Sequence, residues 1–124
     1  MVWFNIYVFI NIALITALAF NISRLRISEK VANGDGGNLI IKKAIRAHLN
    51  AIEHVLPFGL LILALSRDKP SSTLPMLVCA FSIARVLHAV SMLKGNFNLR
   101  RFAAVSSYAL EVLAVVILGF KIFI

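Results

Sequence analysis

The chain has 124 residues, 60% of them hydrophobic and only 15% charged, with a mean hydropathy of +0.91. That composition excludes a water-soluble globular domain, and at roughly 20 apolar residues per span the length holds about four membrane helices and no separate soluble domain. The formal net charge of +8 does not indicate a nucleic-acid partner, because the basic residues are not interleaved with aromatics on a polar face but cluster between the apolar runs.

In chain order, the first apolar run starts at Val2 and is interrupted only by Asn5, Asn11 and Asn21 before SRLRISEK stops it with Arg24, Arg26 and Lys30, which predicts a helix over residues 2–26. Ala17-Leu18-Ala19 resembles a signal-peptide cleavage site, but the positive charge follows the apolar core instead of preceding it, so a retained helix is expected. ANGDGG at residues 32–37 is a loop by its turn chemistry and is too short and too different in spacing to be a phosphate loop. A second helix is expected over 38–66, with Pro57 inside it as a kink that spanning helices tolerate. RDKPSS at residues 67–72 reads as a tight polar connection, a third helix follows over 73–94, GNFN at 95–98 breaks it, and a fourth runs over 99–123 with Glu111 at its middle. All four belong to a single domain without internal repeats. Cys79 is the only cysteine, so neither an intrachain disulfide nor a cysteine metal site is available, and its place in LVCAF predicts a buried small hydrophobe.

Charge orients this all-α, integral membrane four-helix bundle. The first and third loops, with the adjoining helix ends, carry Arg24, Arg26, Lys30, Lys42, Lys43, Arg46, Lys94, Arg100 and Arg101, whereas the second loop and the termini carry Arg67, Lys69 and Lys121. By the positive-inside rule the first group is expected in the cytoplasm and both termini on the opposite side.

An ionisable side chain within a span costs on the order of 2.5–3.5 kcal/mol and normally faces the bundle interior or a wet cavity. In RAHLNAIEHVLPF, residues 46–58, a turn of roughly 100° per residue places Arg46, Asn50, Glu53 and Pro57 within about 60° of one another. His48 points nearly opposite to Arg46 and His54 in a further direction, the pattern of a helix at a subunit boundary that touches two neighbours. In the third helix Arg85 and His88 share a face, and Glu53 is the expected anion for Arg85, as a functional pair or as a salt bridge that only fixes packing. Arg24, Arg26, Arg46, Arg85, Arg100 and Arg101 exceed what Glu53 can offset. Guanidinium groups suit a small acidic ligand, and a cationic rim for anionic lipid headgroups accounts for the same surplus. No nucleophile elbow and no HExxH is present, and the histidines diverge too far to hold a metal. Glu111 is either a proton-coupling carboxylate or a residue hydrogen-bonded across helices; His54 has no assigned role.

These residues resemble the MAPEG family, the membrane-associated proteins in eicosanoid and glutathione metabolism. RAHLNAIEHVLPF is similar to its second-helix signature, ARVLHAV at 84–90 to its third-helix Arg-x-x-His motif, and RLR followed by NGDGG to the end of helix one and the first loop of bacterial members. The resemblance implies a four-helix bundle that trimerises, in the inner membrane of a bacterium, with glutathione as co-substrate bound between subunits near the cytoplasmic face. By position, Arg24, Arg46, His48, Asn50, Glu53, Arg85 and His88 match residues in or around that site. The arginine that stabilises the glutathione thiolate corresponds to Arg101 by its distance from His88, or to Arg100 by its distance from Tyr108, and Arg101 is favoured narrowly. Met92 and Leu49 depart from the pattern, standing where several members have a tyrosine and an arginine.

The function implied is a glutathione-dependent transferase or peroxidase acting on a lipophilic electrophile or lipid hydroperoxide delivered by the bilayer. The alternative is a non-catalytic membrane protein that binds lipids or partner proteins on the same scaffold. A small multidrug exporter ranks lower, because such transporters need a glutamate in helix one and residues 2–22 contain no acidic residue.

Overall fold

The computed structural model describes residues 1–67 and 72–124, so most of the RDKPSS connection lies outside the described residues. Four helices form: α1 (Val2–Ser28), α2 (Leu39–Ser66), α3 (Thr73–Lys94) and α4 (Phe97–Phe123). Each is long and apolar enough to cross a membrane. α2 and α3 pack on each other at the centre, with α1 and α4 each packed against both, while α1 and α4 do not meet among the described residues.

The helix ends follow from local chemistry. Asn38 accepts hydrogen bonds from the backbone N–H of Ile40 and Ile41, and Asn96 from that of Leu99, so two asparagines cap α2 and α4. α4 therefore begins at Phe97, inside the stretch read as a four-residue break. Asn98 lies in the first helical turn, and the connection shrinks to Gly95, left-handed at φ 73°, and Asn96. α1 runs two residues beyond the expected Arg26, after which the loop folds back: Arg26 Nε donates to the Gly34 carbonyl at 3.0 Å. Gly36 is obligatory in that loop, since its φ is 57° and a Cβ there would stand 2.6 Å from the Val31 side chain.

Without a hydrophobic driving force between helices in lipid, association rests on close packing and on hydrogen bonds across helices. The larger core cluster is built around three aromatic rings: Phe58 of α2 stacks on Phe81 of α3 with ring centroids 3.8 Å apart, and Tyr7 of α1 leans on both. The Tyr7 hydroxyl donates to the Val55 carbonyl at 2.7 Å, two residues before Pro57, through which α2 continues. Gly59 makes room for that ring, since a Cβ there would lie 3.1 Å from Tyr7 Cε1. Toward the end of the bundle that carries the first and third loops the packing becomes small, with Ala47, Ala51 and Ala89 against Leu18. Asn11 ties α1 to α3 by donating to Ser82 Oγ at 2.8 Å.

Cys79 is exposed, contrary to the expected burial. It lies on the outer face of α3 with Met76 and Ile83, where a small apolar side chain suits lipid as well as it suits a core.

The Tyr7 contact gives a stability test. Tyr7→Phe is expected to lower the unfolding free energy by about 1 kcal/mol, and Gly59→Leu by more, because the new side chain must displace the ring. Reversible unfolding in mixed micelles followed by circular dichroism measures both, and stabilities equal to wild type would show that the contact contributes nothing.

Candidate functional site

α2 and α4 both start at the end of the bundle that carries the first and third loops, so polar residues can be ordered by their distance from those starts. At about 1.5 Å per residue they form successive layers on the facing sides of α2, α3 and α4.

The layer nearest the helix starts surrounds a cavity of about 320 Å³, lined by Lys42, Lys43 and Arg46 of α2, Ser91 and Met92 of α3, and Asn96 and Arg100 around the start of α4. Arg100 and Arg101 part company here. Arg100 is half-buried and turns into the cavity, with its guanidinium 5.2 Å from the Phe97 ring centroid, whereas Arg101 projects from the outer surface, 6.0 Å from the same ring.

The second layer is centred on Arg85, which is 2% exposed. Its Nε donates to Ser107 Oγ of α4 at 3.0 Å, Nη2 donates to the same hydroxyl, and Nη1 donates to Asn50 Oδ1 of α2 at 3.0 Å. The guanidinium also lies 5.8 Å from the Phe81 ring centroid. The expected Glu53–Arg85 pair is not formed. Asn50 is on the inner edge of the α2 seam and reaches Arg85, while Glu53 is rotated outward and exposed. His88, one turn from Arg85, is buried, and its carbonyl accepts from Ser91 Oγ at 2.8 Å.

The third layer joins His54 to Glu111, with His54 Nδ1 at 2.7 Å from Glu111 Oε1. The exposed Tyr108 packs edge-on against the His54 ring, centroids 4.9 Å apart. This pair gives both residues a partner: Glu111 is hydrogen-bonded across helices, to His54. Depth could have found it, because His54 lies 15 residues from the start of α2 and Glu111 lies 14 from the start of α4.

The remaining candidates stand apart within this chain. Arg24 is exposed and donates to Asn21 Oδ1 at 3.0 Å within its own helix, and His48 is half-buried on the flank of α2 away from the seam. Arg46, Glu53 and Arg101 all reach the outer surface, Arg46 beside the cavity. The structure thus gathers Asn50 with Arg85 and Arg46 with Arg100, and leaves Arg24, His48, Glu53 and Arg101 on outward or flanking surfaces. Ser107, Lys42, Lys43 and Asn96 were absent from the sequence-based set. Ser107 carries no sequence signal of its own, and the two lysines had been counted only as topology charges.

Over 98 residues the chain is 28% identical to the inner membrane protein YecN of Escherichia coli (strain K12), an alignment covering 77% of this chain and 74% of that protein, and the same values hold for the YecN protein of an Escherichia coli O6:H1 strain. The model of the MAPEG family matches residues 4–124, which takes in all four helices and every layer of the site, and the chain therefore belongs to the MAPEG family.

Proposed function

We propose that this membrane protein is a glutathione-dependent transferase or peroxidase, assembled as a homotrimer, in which glutathione binds between neighbouring chains. One observation carries the reading. Glu53 lies about 21 Å along α2 from its start at roughly 1.5 Å per residue, in the middle of a membrane-spanning helix, and its carboxylate faces out of the bundle. A bare carboxylate at that depth is costly in lipid. A second copy of the chain placed against this surface shields Glu53 and encloses it with a ligand cation, and the ammonium of glutathione supplies one.

The other outward groups fit the same ligand. Glutathione has two carboxylates and a thiol, and Arg46 and Arg101 flank the groove on the side of the helix starts. Arg24 and His48, which face away from the site within one chain, become available to a neighbouring chain's groove. Thiolate is the nucleophile, and a guanidinium beside it favours the ionised form. Exposed at the outer surface, Arg101 is the group assigned to it, while Arg85 and His88 hold the wall behind Asn50. In the transferase reaction the thiolate sulfur forms a bond to an electrophilic carbon of an acceptor dissolved in the bilayer, as a leaving group departs with its bonding pair or as the π bond of an activated alkene opens and the adjacent carbon takes a proton. In the peroxidase reaction a lipid hydroperoxide is reduced to the alcohol and water as its O–O bond breaks and two glutathione molecules are oxidised to the disulfide.

The positive-inside asymmetry assigns this end of the bundle to the cytoplasm, where glutathione is abundant. The non-catalytic alternative draws on Met92, which occupies the cavity wall, and on Leu49, which is exposed; a tyrosine and an arginine at these positions would add contacts to the ligand.

Glutathione titration of the purified protein, read by thiolate absorbance, tests the assignment. Arg101→Ala is expected to remove the thiolate signal and lower kcat with a model electrophile by about 100-fold, while glutathione affinity changes by only a few-fold. Absence of glutathione binding at millimolar concentration overturns the reading in favour of the non-catalytic scaffold. Native mass spectrometry from detergent is expected to register three chains with bound glutathione, and Glu53→Gln to weaken that binding by about tenfold through loss of a charge-assisted contact.

A further inference from the structure

We propose that the cavity between the amino-terminal turns of α2 and α4 is a binding site for a phosphate group, distinct from the glutathione groove but adjoining it at Arg46 and Met92. Fixed and mobile positive charge converge on one open cavity. Lys42, Lys43, Arg46 and Arg100 all line it, and no acidic residue does. None of the four has an acidic partner among the described residues.

The backbone adds to this charge. Leu39 and Phe97, the first residues of α2 and α4, both line the cavity, so two helix amino ends face it; Asn38 and Asn96 take the N–H groups of Ile40, Ile41 and Leu99, and the remaining first-turn N–H groups keep their partial positive charge. Helices usually place an acidic side chain in the first turn to offset that charge, and here neither does. The opposing α3 terminus does not supply the missing negative charge. Its Met92 and Ser91 carbonyls are already taken by the backbone N–H groups of Gly95 and Asn96. The wall is also shaped for close approach: the Lys43 ammonium lies 3.4 Å from where a Cβ would stand on Gly95, whose own φ of 73° excludes most side chains.

Glutathione is a poor occupant for this volume. Its ammonium would face four cations with no carboxylate in reach, since Glu53 lies deeper and on the outer face. A phosphate has no such conflict: it is compact, carries one to two negative charges and accepts from lysine ammonium, arginine fork and backbone N–H alike. The volume of about 320 Å³ is at the small end of ligand pockets, enough for a phosphate with a glycerol-sized group attached. Arg100 thus takes a role distinct from its neighbour Arg101.

The phosphate can come from a soluble phosphoester or from the headgroup of an acidic phospholipid, and two arms separate the sources. In the first, inorganic phosphate and glycerol 3-phosphate are titrated onto the full chain in phosphatidylcholine nanodiscs and followed by phosphorus NMR. In the second, retention of phosphatidylglycerol against phosphatidylcholine is measured by native mass spectrometry. Binding is expected in at least one arm, and the arm that responds names the source.

Lys42→Gln/Lys43→Gln, and independently Arg100→Gln, should weaken it tenfold or more. Lys30→Gln/Arg67→Gln removes the same charge as the double lysine variant from outside the cavity and should change binding by less than about twofold. Equal weakening by both double variants would reduce the site to a diffuse cationic rim, and absence of binding in both arms overturns it outright. The double lysine variant is also expected to keep its glutathione affinity. One-for-one competition between phosphate and glutathione would overturn the separation of the two sites, whereas failure of glutathione to bind leaves the phosphate result standing.

Discussion

Arg85 is a cation 2% exposed inside a membrane bundle, held by the neutral oxygens of Asn50 and Ser107 and not by a carboxylate. Taking such a group out of water is costly, and leaving any of its donors unpaired adds to the cost. The three helices that supply the partners are therefore fixed relative to one another: α2 must present Asn50, α4 must present Ser107, and α3 must place Arg85 between them. The rotation of α2 that brings Asn50 inward carries Glu53 and Arg46 to the outer surface. The rotation of α4 that brings Ser107 inward, with Ala103 and Ala114 on the same side, sends Arg101 outward and Arg100 toward the cavity. The position of each outward charge is thus a consequence of one inward one.

Polarity is graded along the bundle. The turns at the helix starts are cationic and line a cavity; the next layer is a cation satisfied by neutral dipoles; the layer at mid-depth pairs His54 with Glu111; and beyond it lies the aromatic packing of Tyr7, Phe58 and Phe81. The sequence of layers brings net charge toward zero as distance from water grows, in keeping with the rising cost of an uncompensated charge. Glu53, exposed at mid-depth of α2, is the exception to this gradient.

The four spans and their polar ends were legible in the amino-acid sequence because apolar runs of this length have few other meanings, and asparagine and glycine punctuate them where the structure turns. The seam on α2 was legible too, through the angular spacing of Arg46, Asn50 and Glu53. The partnership of that seam was not. Period gives direction around one helix but not which member of the seam lies at its inner edge, and charge complementarity favoured Glu53 for Arg85 over the neutral Asn50 and Ser107 that hold it. His54 was opaque for the opposite reason: its partner Glu111 is far away in sequence and becomes visible only when two parallel helices are measured from a common end. The cavity escaped notice because Lys42 and Lys43 have a sufficient explanation in topology.

The two-residue link of Gly95 and Asn96 leaves α4 almost no slack relative to α3. Arg100 and Arg101 are consecutive, so roughly 100° of helical turn separates them, and the wall of the bundle passes between their side chains. A pair of identical residues thereby becomes a two-position selector whose setting is the length of the link. Deleting one residue would put Arg101 where Arg100 now looks into the cavity, and adding one would put Arg100 where Arg101 now looks out of the bundle, with both arginines retained. Divergence among such bundles can therefore proceed by indexing the fourth helix, a change that a residue-by-residue comparison of their arginines would record as nothing more than a gap.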